Sequence, residues 1–181
     1  MNILEFFYDY ECPFCKHGYE LLLEQLPLHP GISVVWRPCE GHPRPEDWHP
    51  HTDLAIQGFY FAHVNDIDLI AYNHRLFEAV HVDKIDIETP ETLAAYVADL
   101  VDPVAYLKSL QDGTFKDVQE QGDAYADHEQ AVWFLPALRM NGKHLDAVGG
   151  VGVSEDAVRT FLNDAKRRAN DADSLSEAAP A

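Results

Sequence analysis

Two cysteines separated by two residues stand in YDYECPFCKHGYE, residues 8–20, and what flanks them decides most of what this chain can become. Before them NILEFFY (2–8) is a dense β-prone run. After them Tyr19, Leu22, Leu23 and Leu26 recur at helical spacing until the stretch from Pro27 to Gly31 ends the segment. ISVVWR (32–37), set between HPG and PCEG, is a second β-prone run, and both runs read as buried strands. Strand, helix and strand with short connections predict a right-handed unit whose two strands are parallel. The cysteine pair then falls where the first strand ends and the helix begins. There the first-turn N–H groups and the helix dipole favour a thiolate at Cys12. Pro13 suits the first turn because its missing N–H would have had no helical partner. Cys15 lies one turn further on and faces inward. An exposed attacking thiol backed by a sheltered one is the arrangement that thiol–disulfide exchange requires.

Beyond the second strand, Glu40 to Trp48 is polar and proline-rich and reads as a loop. Helical patterns follow over 52–64, 66–82, 89–101, 103–111 and 114–130. The β signal returns in LPALRMNG (135–142), where Asn141-Gly142 is a hairpin turn signal ahead of KHLDAV. VGGVGV leads to Ser154, an N-cap with Glu155 and Asp156 in the first turn of a helix carrying Val158, Phe161 and Leu162 to about Arg168. The glycines of VGGVGV lack the GxGxxG spacing of a phosphate loop, and helix packing is the expected reason for them. The final residues, NDADSLSEAAPA, have little to bury and are expected to be disordered.

At 181 residues and 46% hydrophobic content, the chain can bury a core as one domain without disulfide staples. Three cysteines do not make a disulfide framework, and the odd count fits a reducing compartment. MNILEFFYDYE carries acids at once and has no basic, apolar and small-residue order of a signal peptide. No stretch reaches the roughly 20 apolar residues of a membrane span. The expectation is a soluble, cytoplasmic protein with no membrane partner. The net charge of −18 repels phosphate backbones, so nucleic acid is not an expected partner.

Strand, CPFC, helix, second strand, helical block, then LPALRMNG and a closing helix resembles the DsbA-like branch of the thioredoxin superfamily, over residues 2 to about 168. CPFC is also similar to the CPYC of glutaredoxins. The resemblance implies an α/β, thioredoxin-like fold with an inserted all-helical subdomain. It makes 1–169 one DsbA-like domain, with thioredoxin-fold parts at 1–48 and 131–169, a helical insertion at 49–130 and an acidic tail at 170–181. It implies an enzyme in which Cys12 attacks and Cys15 resolves. Leu135-Pro136 matches the family's residue-plus-cis-proline, which holds a substrate backbone, with Phe14 beside it. No bound cofactor is implied, and the partners are protein or small-molecule thiols and disulfides. The chain is also similar to cytosolic proteins grouped with 2-hydroxychromene-2-carboxylate isomerases and kappa-type glutathione transferases, in which glutathione is a co-substrate. Those typically carry serine where this chain has Cys12, so the intact dithiol argues for redox chemistry.

Other readings stay open on the residues alone. Cys12, Cys15, Cys39 and His42 form CxxC and CxxH, a spacing compatible with a structural zinc in a binding module. Against it, this CxxC leads into a long amphipathic helix rather than a turn between short strands. Strand alternation places Glu5 with Ile3 and Phe7, either as a strand-end carboxylate reaching water or as the acid that accepts the proton of Cys15. Asp9 is expected in the loop. Lys16 and His17 read as the solvated side of the helix, and His42, His49 and His51 as a histidine cluster without acidic partners. Aromatics near the motif are expected in the core, with Tyr10, Phe14 and Phe134 as candidates for an apolar rim. Cys39 should end on the active-site edge, either as an inert buried thiol or as a third redox partner.

Overall fold

The computed structural model describes residues 2–164. The expected tail, and the end of the closing helix, lie outside the described residues. β1 (Asn2–Tyr8) is followed by α1 (Pro13–Gln25), a short 3-10 turn at Leu26–Leu28, and β2 (Ile32–Pro38). The helices α2 (Asp53–Val64), α3 (Leu69–His81), α4 (Pro90–Tyr96), α5 (Pro103–Gln111) and α6 (Lys116–Ala124) come next. β3 (Ala137–Met140), β4 (Lys143–Asp146) and α7 (155–164) complete the described chain. The sheet order is β2-β1-β3-β4. Asn2 N–H donates to the Gly31 carbonyl at 3.0 Å and Cys39 N–H to the Tyr8 carbonyl at 2.9 Å, so β1 and β2 start together and end together, which makes them parallel. β3 runs antiparallel to β1, with Phe6 opposite Leu138, and the β3–β4 hairpin turns at Asn141-Gly142. The sheet is therefore mixed.

Two compact units divide the described chain. The first comprises residues 2–7, 14–37 and 132–164, the second 8–13 and 38–131. In the first, Leu4, Phe6, Leu22, Leu138, Val158 and Leu162 are buried. Trp36 of β2 packs edge-on to Phe6 and tilted to Tyr19, with ring centroids 5.9 and 5.5 Å apart. The expectation of a buried second strand holds only in part: as the edge of the sheet, β2 is half-exposed from Ile32 to Arg37.

In the second unit α2 is the hub, packing on α3, α5 and α6. The helix starts correct the sequence pattern where capping outweighs periodicity. Asp66 takes a left-handed conformation, and Asp68 then caps α3 by accepting from the N–H groups of Ile70 and Ala71. The pattern over 89–101 shortens to α4 because Asp102 is drawn out to cap α5 at Val104 and Ala105. The pattern over 114–130 divides into α6 and a π-turn at Tyr125–Glu129.

The residues just before the cysteine pair are anchored in this unit. Tyr8 and Tyr10 both donate their hydroxyls to Asn73 Oδ1 of α3, at 2.8 and 2.7 Å, and Phe77 packs against both rings. His81 Nε2 meets the Tyr10 carbonyl at 2.9 Å. Because removing one partner of a buried hydrogen bond costs about 1–3 kcal/mol, Asn73→Leu, which removes the acceptor shared by both hydroxyls, should lower unfolding stability by about 2 kcal/mol or more. Urea denaturation checks this, and a loss under about 0.5 kcal/mol would contradict the anchoring role.

Candidate functional site

Cys12 immediately precedes α1, and its N–H donates to the Asp9 carbonyl at 3.3 Å. It is half-exposed, whereas Cys15, one turn into the helix, is fully buried, and neither is joined in a disulfide. Pro13 opens the helix at the position where a missing N–H costs nothing. Lys16 pairs with Glu20 one turn further on, and His17 points to solvent, so both belong to the solvated side of α1.

The rest of the sequence-derived set has these places. Gly18, one turn beyond Cys15, is where Pro136 packs: a Cβ there would lie 2.8 Å from Pro136 Cγ and 3.3 Å from Val153 Cγ2. Leu135-Pro136 is one of three cis X-Pro bonds, with Arg44-Pro45 and His49-Pro50. Phe14 lies over Gly152, whose φ of +82° and missing side chain let the ring approach to 3.1 Å from where a Cβ would stand. The glycines of VGGVGV form the turn ahead of α7, and Gly152 serves packing on helix α1 through Phe14, as expected of them. Glu5 accepts from Arg37 Nε at 2.9 Å and faces its Nη2 at 2.7 Å.

The aromatics sort differently from expectation. Tyr10 is wholly buried on Asn73 and forms no rim. Trp133 and Phe134, directly before Leu135-Pro136, are 73% and 56% exposed, and Val148 and Val151 of the glycine turn are exposed as well. Phe134 Cε1 comes within 3.3 Å of the Cβ position of Gly149, so the segment before Pro136 lies against that turn.

Asp9 lies in the loop after β1, as expected, and is buried there, 1% exposed. Its carboxylate accepts from the Thr52 hydroxyl at 2.7 Å and from the N–H groups of Gly41 at 2.5 Å and Glu11 at 3.3 Å. Burial pushes its pKa up to about 6 against the pull of these donors. Asp123 is likewise raised to about 6 by burial, and Glu40 to about 8 by burial and by the charges of Asp53, Asp123 and Asp9. Cys39 is buried, and burial together with Asp123 and Asp9 holds its thiol well above the ordinary range, which makes it a poor nucleophile. The only sequence signal for this acid group was that Asp9 interrupts an aromatic run; its partners come from 30 to more than 110 residues away.

The zinc arrangement is not assembled. Among the described residues, the metal-ligating atoms of three or more such side chains come within 4.8 Å of one another only at His49, His51 and Glu88, not at Cys12, Cys15, Cys39 and His42. The histidine loop thus has an acidic partner that local spacing could not show. Glu88 is already engaged, by His49 Nδ1 at 2.7 Å and Arg44 Nη2 at 2.9 Å, and it pins the proline-rich loop.

Comparison with known proteins places the fold. No family model matches the chain. The uncharacterized protein YwbO of Bacillus subtilis (strain 168) is 25% identical over 186 residues, spanning 83% of this chain and 92% of that protein. A probable DsbA oxidoreductase from Streptomyces coelicolor superposes with a TM-score of 0.76 at 14% identity, over 100% of this chain and 93% of the other. Pseudomonas aeruginosa DsbA gives 0.68 at 20% identity, over 95% and 86%. A 2-hydroxychromene-2-carboxylate isomerase gives 0.69 at 14% identity, over 96% and 98%. The fold is the DsbA-like thioredoxin fold with a helical insertion.

Two outcomes follow from this geometry. Gly18→Ala forces a methyl against Pro136 and should cost about 1–3 kcal/mol in urea denaturation; a neutral effect would mean that the contact is slack. Glu40 takes up a proton on folding wherever its folded group is protonated and its unfolded group ionised, from about pH 4.5 to about pH 8. Across that window its contribution lowers stability as pH rises, and above about pH 8 the effect levels off. The melting temperature of Glu40→Gln relative to wild type should therefore climb over that range and then plateau, and a pH-independent difference would contradict the assignment.

Proposed function

We propose that the protein is a thiol–disulfide oxidoreductase that cycles Cys12 and Cys15 between dithiol and disulfide. The observation that carries this reading is the half-exposed Cys12 thiol at the start of α1 with the Cys15 thiol buried one turn behind it. The Cys12 thiolate attacks one sulfur of a substrate disulfide, the S–S bond breaks, and the departing substrate sulfur takes up a proton. Cys15 then loses its proton and attacks Cys12 Sγ, releasing the second substrate thiol and leaving a Cys12–Cys15 disulfide. The substrate is reduced by two electrons and the protein is oxidised by two, so a thiol reductant closes the cycle; run backwards, the same steps insert a disulfide.

Pro136, braced on Gly18, is the substrate-backbone support in this reading, with Leu135 and Phe14 beside it. The exposed side chains of Trp133, Phe134, Val148 and Val151 favour a polypeptide substrate presenting apolar residues. Glu5 is the proton acceptor for Cys15, steered by its ion pair with Arg37. No described helix is long and apolar enough to cross a membrane; a cytoplasmic location, with glutathione as reductant, is part of the proposal.

Insulin reduction with dithiothreitol or glutathione tests the reading. Wild type should accelerate it, Cys12→Ser should abolish the acceleration, and Cys15→Ser should accumulate a mixed disulfide on Cys12. Alkylation of Cys12 should proceed well below the pH at which a free thiol with a pKa of about 8.5 ionises. Glu5→Gln should slow resolution while leaving Cys12 alkylation unchanged. No acceleration with either reductant, together with conversion of a small molecule that needs glutathione, would replace this reading by the transferase or isomerase one.

A further inference from the structure

The helical unit contains a cavity of about 620 Å³ that thiol–disulfide exchange does not use, formed between the loop after β2 and helices α2, α5 and α6. Five acids and two bases line it, an excess of three negative charges. Both bases are already engaged: Arg44 pairs with Asp53 and Glu88, and Lys116 lies 3.7 Å from Glu120. Inside, Glu40 Oε1 and Asp53 Oδ1 are buried without a hydrogen-bond partner. Gln57 of α2 is only 4% exposed and lines the same cavity, and its side-chain amide makes no hydrogen bond to any described residue. Buried polar atoms are nearly always satisfied, so two orphaned carboxylate oxygens beside the Gln57 amide in one cavity point to a guest that satisfies them.

We infer that this cavity binds a small organic cation, an ammonium or guanidinium head on a short apolar stem. The orphaned carboxylate oxygens and the Gln57 amide oxygen are acceptors, and a cationic N–H donor completes them with charge-assisted hydrogen bonds. Leu54, Leu110 and Pro43 supply apolar wall for the stem. A bare metal ion fits poorly, because no three carboxylates of the cavity bring their oxygens within 4.8 Å of one another. The volume lies in the range of pockets that enclose whole small molecules. Electrostatics agree with the geometry. Burial, and then the charges of Asp53 on α2, Asp123 on α6 and Asp9 before Cys12, raise the Glu40 carboxyl to about 8, so it is protonated at neutral pH. A cation beside it favours the ionised form, and binding therefore releases a proton.

Isothermal titration of the full-length protein with agmatine and with putrescine tests the inference, with 1,4-butanediol as the uncharged counterpart and magnesium chloride as the metal arm. Both amines should bind saturably near neutral pH and release a proton, seen as a dependence of the heat on buffer ionisation enthalpy. The diol and magnesium should not bind. Glu40→Gln and Gln57→Leu should each weaken agmatine by about tenfold or more. Far-UV circular dichroism and the rate of Cys12 alkylation should be unchanged in both variants, which separates loss of the site from loss of the fold or of the dithiol chemistry. No saturable binding of either amine, binding without proton release, equal binding of the diol or of magnesium, or affinity indifferent to both substitutions would overturn the inference.

Discussion

A carboxylate withdrawn from water and held by three donors is what the segment before Cys12 depends on. Asp9 ties the end of β1 to the loop after β2 through Gly41 and to the start of α2 through Thr52, while its own carbonyl receives the Cys12 N–H. Burying an ionisable group without such donors would cost more than the local contacts return. With them, the polar network specifies one conformation, because a shift of any participant leaves a buried acceptor exposed to nothing. Tyr8 and Tyr10 reinforce this by spending both hydroxyls on one side chain, Asn73. Five consecutive residues, Tyr8 to Cys12, are thereby fixed before the helix begins, and the Cys12 thiol takes its position from them.

Within the first unit, position is set by packing rather than by charge. Gly18 lets Pro136 lie directly on α1, and Gly152 lets Phe14 lie on the turn before α7. Both contacts rely on the absence of a side chain at one position. Close-packed interiors transmit small volume changes, so these two glycines set the spacing between the CPFC helix and the segment that carries Leu135-Pro136. The exposed aromatics immediately before Pro136, Trp133 and Phe134, sit on that rigid support.

Much of the frame was legible in the sequence because it is written in short-range patterns. The strands at NILEFFY and ISVVWR, the helix behind CPFC, the hairpin at Asn141-Gly142 and the helical block each depend on residues within a few positions of one another. What escaped depends on distant partners. Asp9 is the loop acid its position predicts, but nothing near it in sequence announces its burial or its partners Gly41 and Thr52. Tyr10 looked like a rim residue because Asn73 lies 63 positions away. Periodicity overran the ends of α3 and α4 because Asp68 and Asp102 stop or start helices through caps that a hydrophobic pattern does not register. The half-exposure of β2 follows from strand order, which a single strand's composition does not encode.

In the proposed function Cys12 and Cys15, at the start of one helix, form a closed redox pair that leaves out the buried, poorly nucleophilic Cys39. Equilibrating the full-length protein in a series of glutathione redox buffers, with disulfide mapping at each step, addresses that claim most directly. The account predicts one two-electron transition in which Cys12 and Cys15 become an intramolecular disulfide while Cys39 stays reduced throughout. A transition that joins Cys12 to Cys39, or oxidation that never forms an intramolecular Cys12–Cys15 bond, would contradict it.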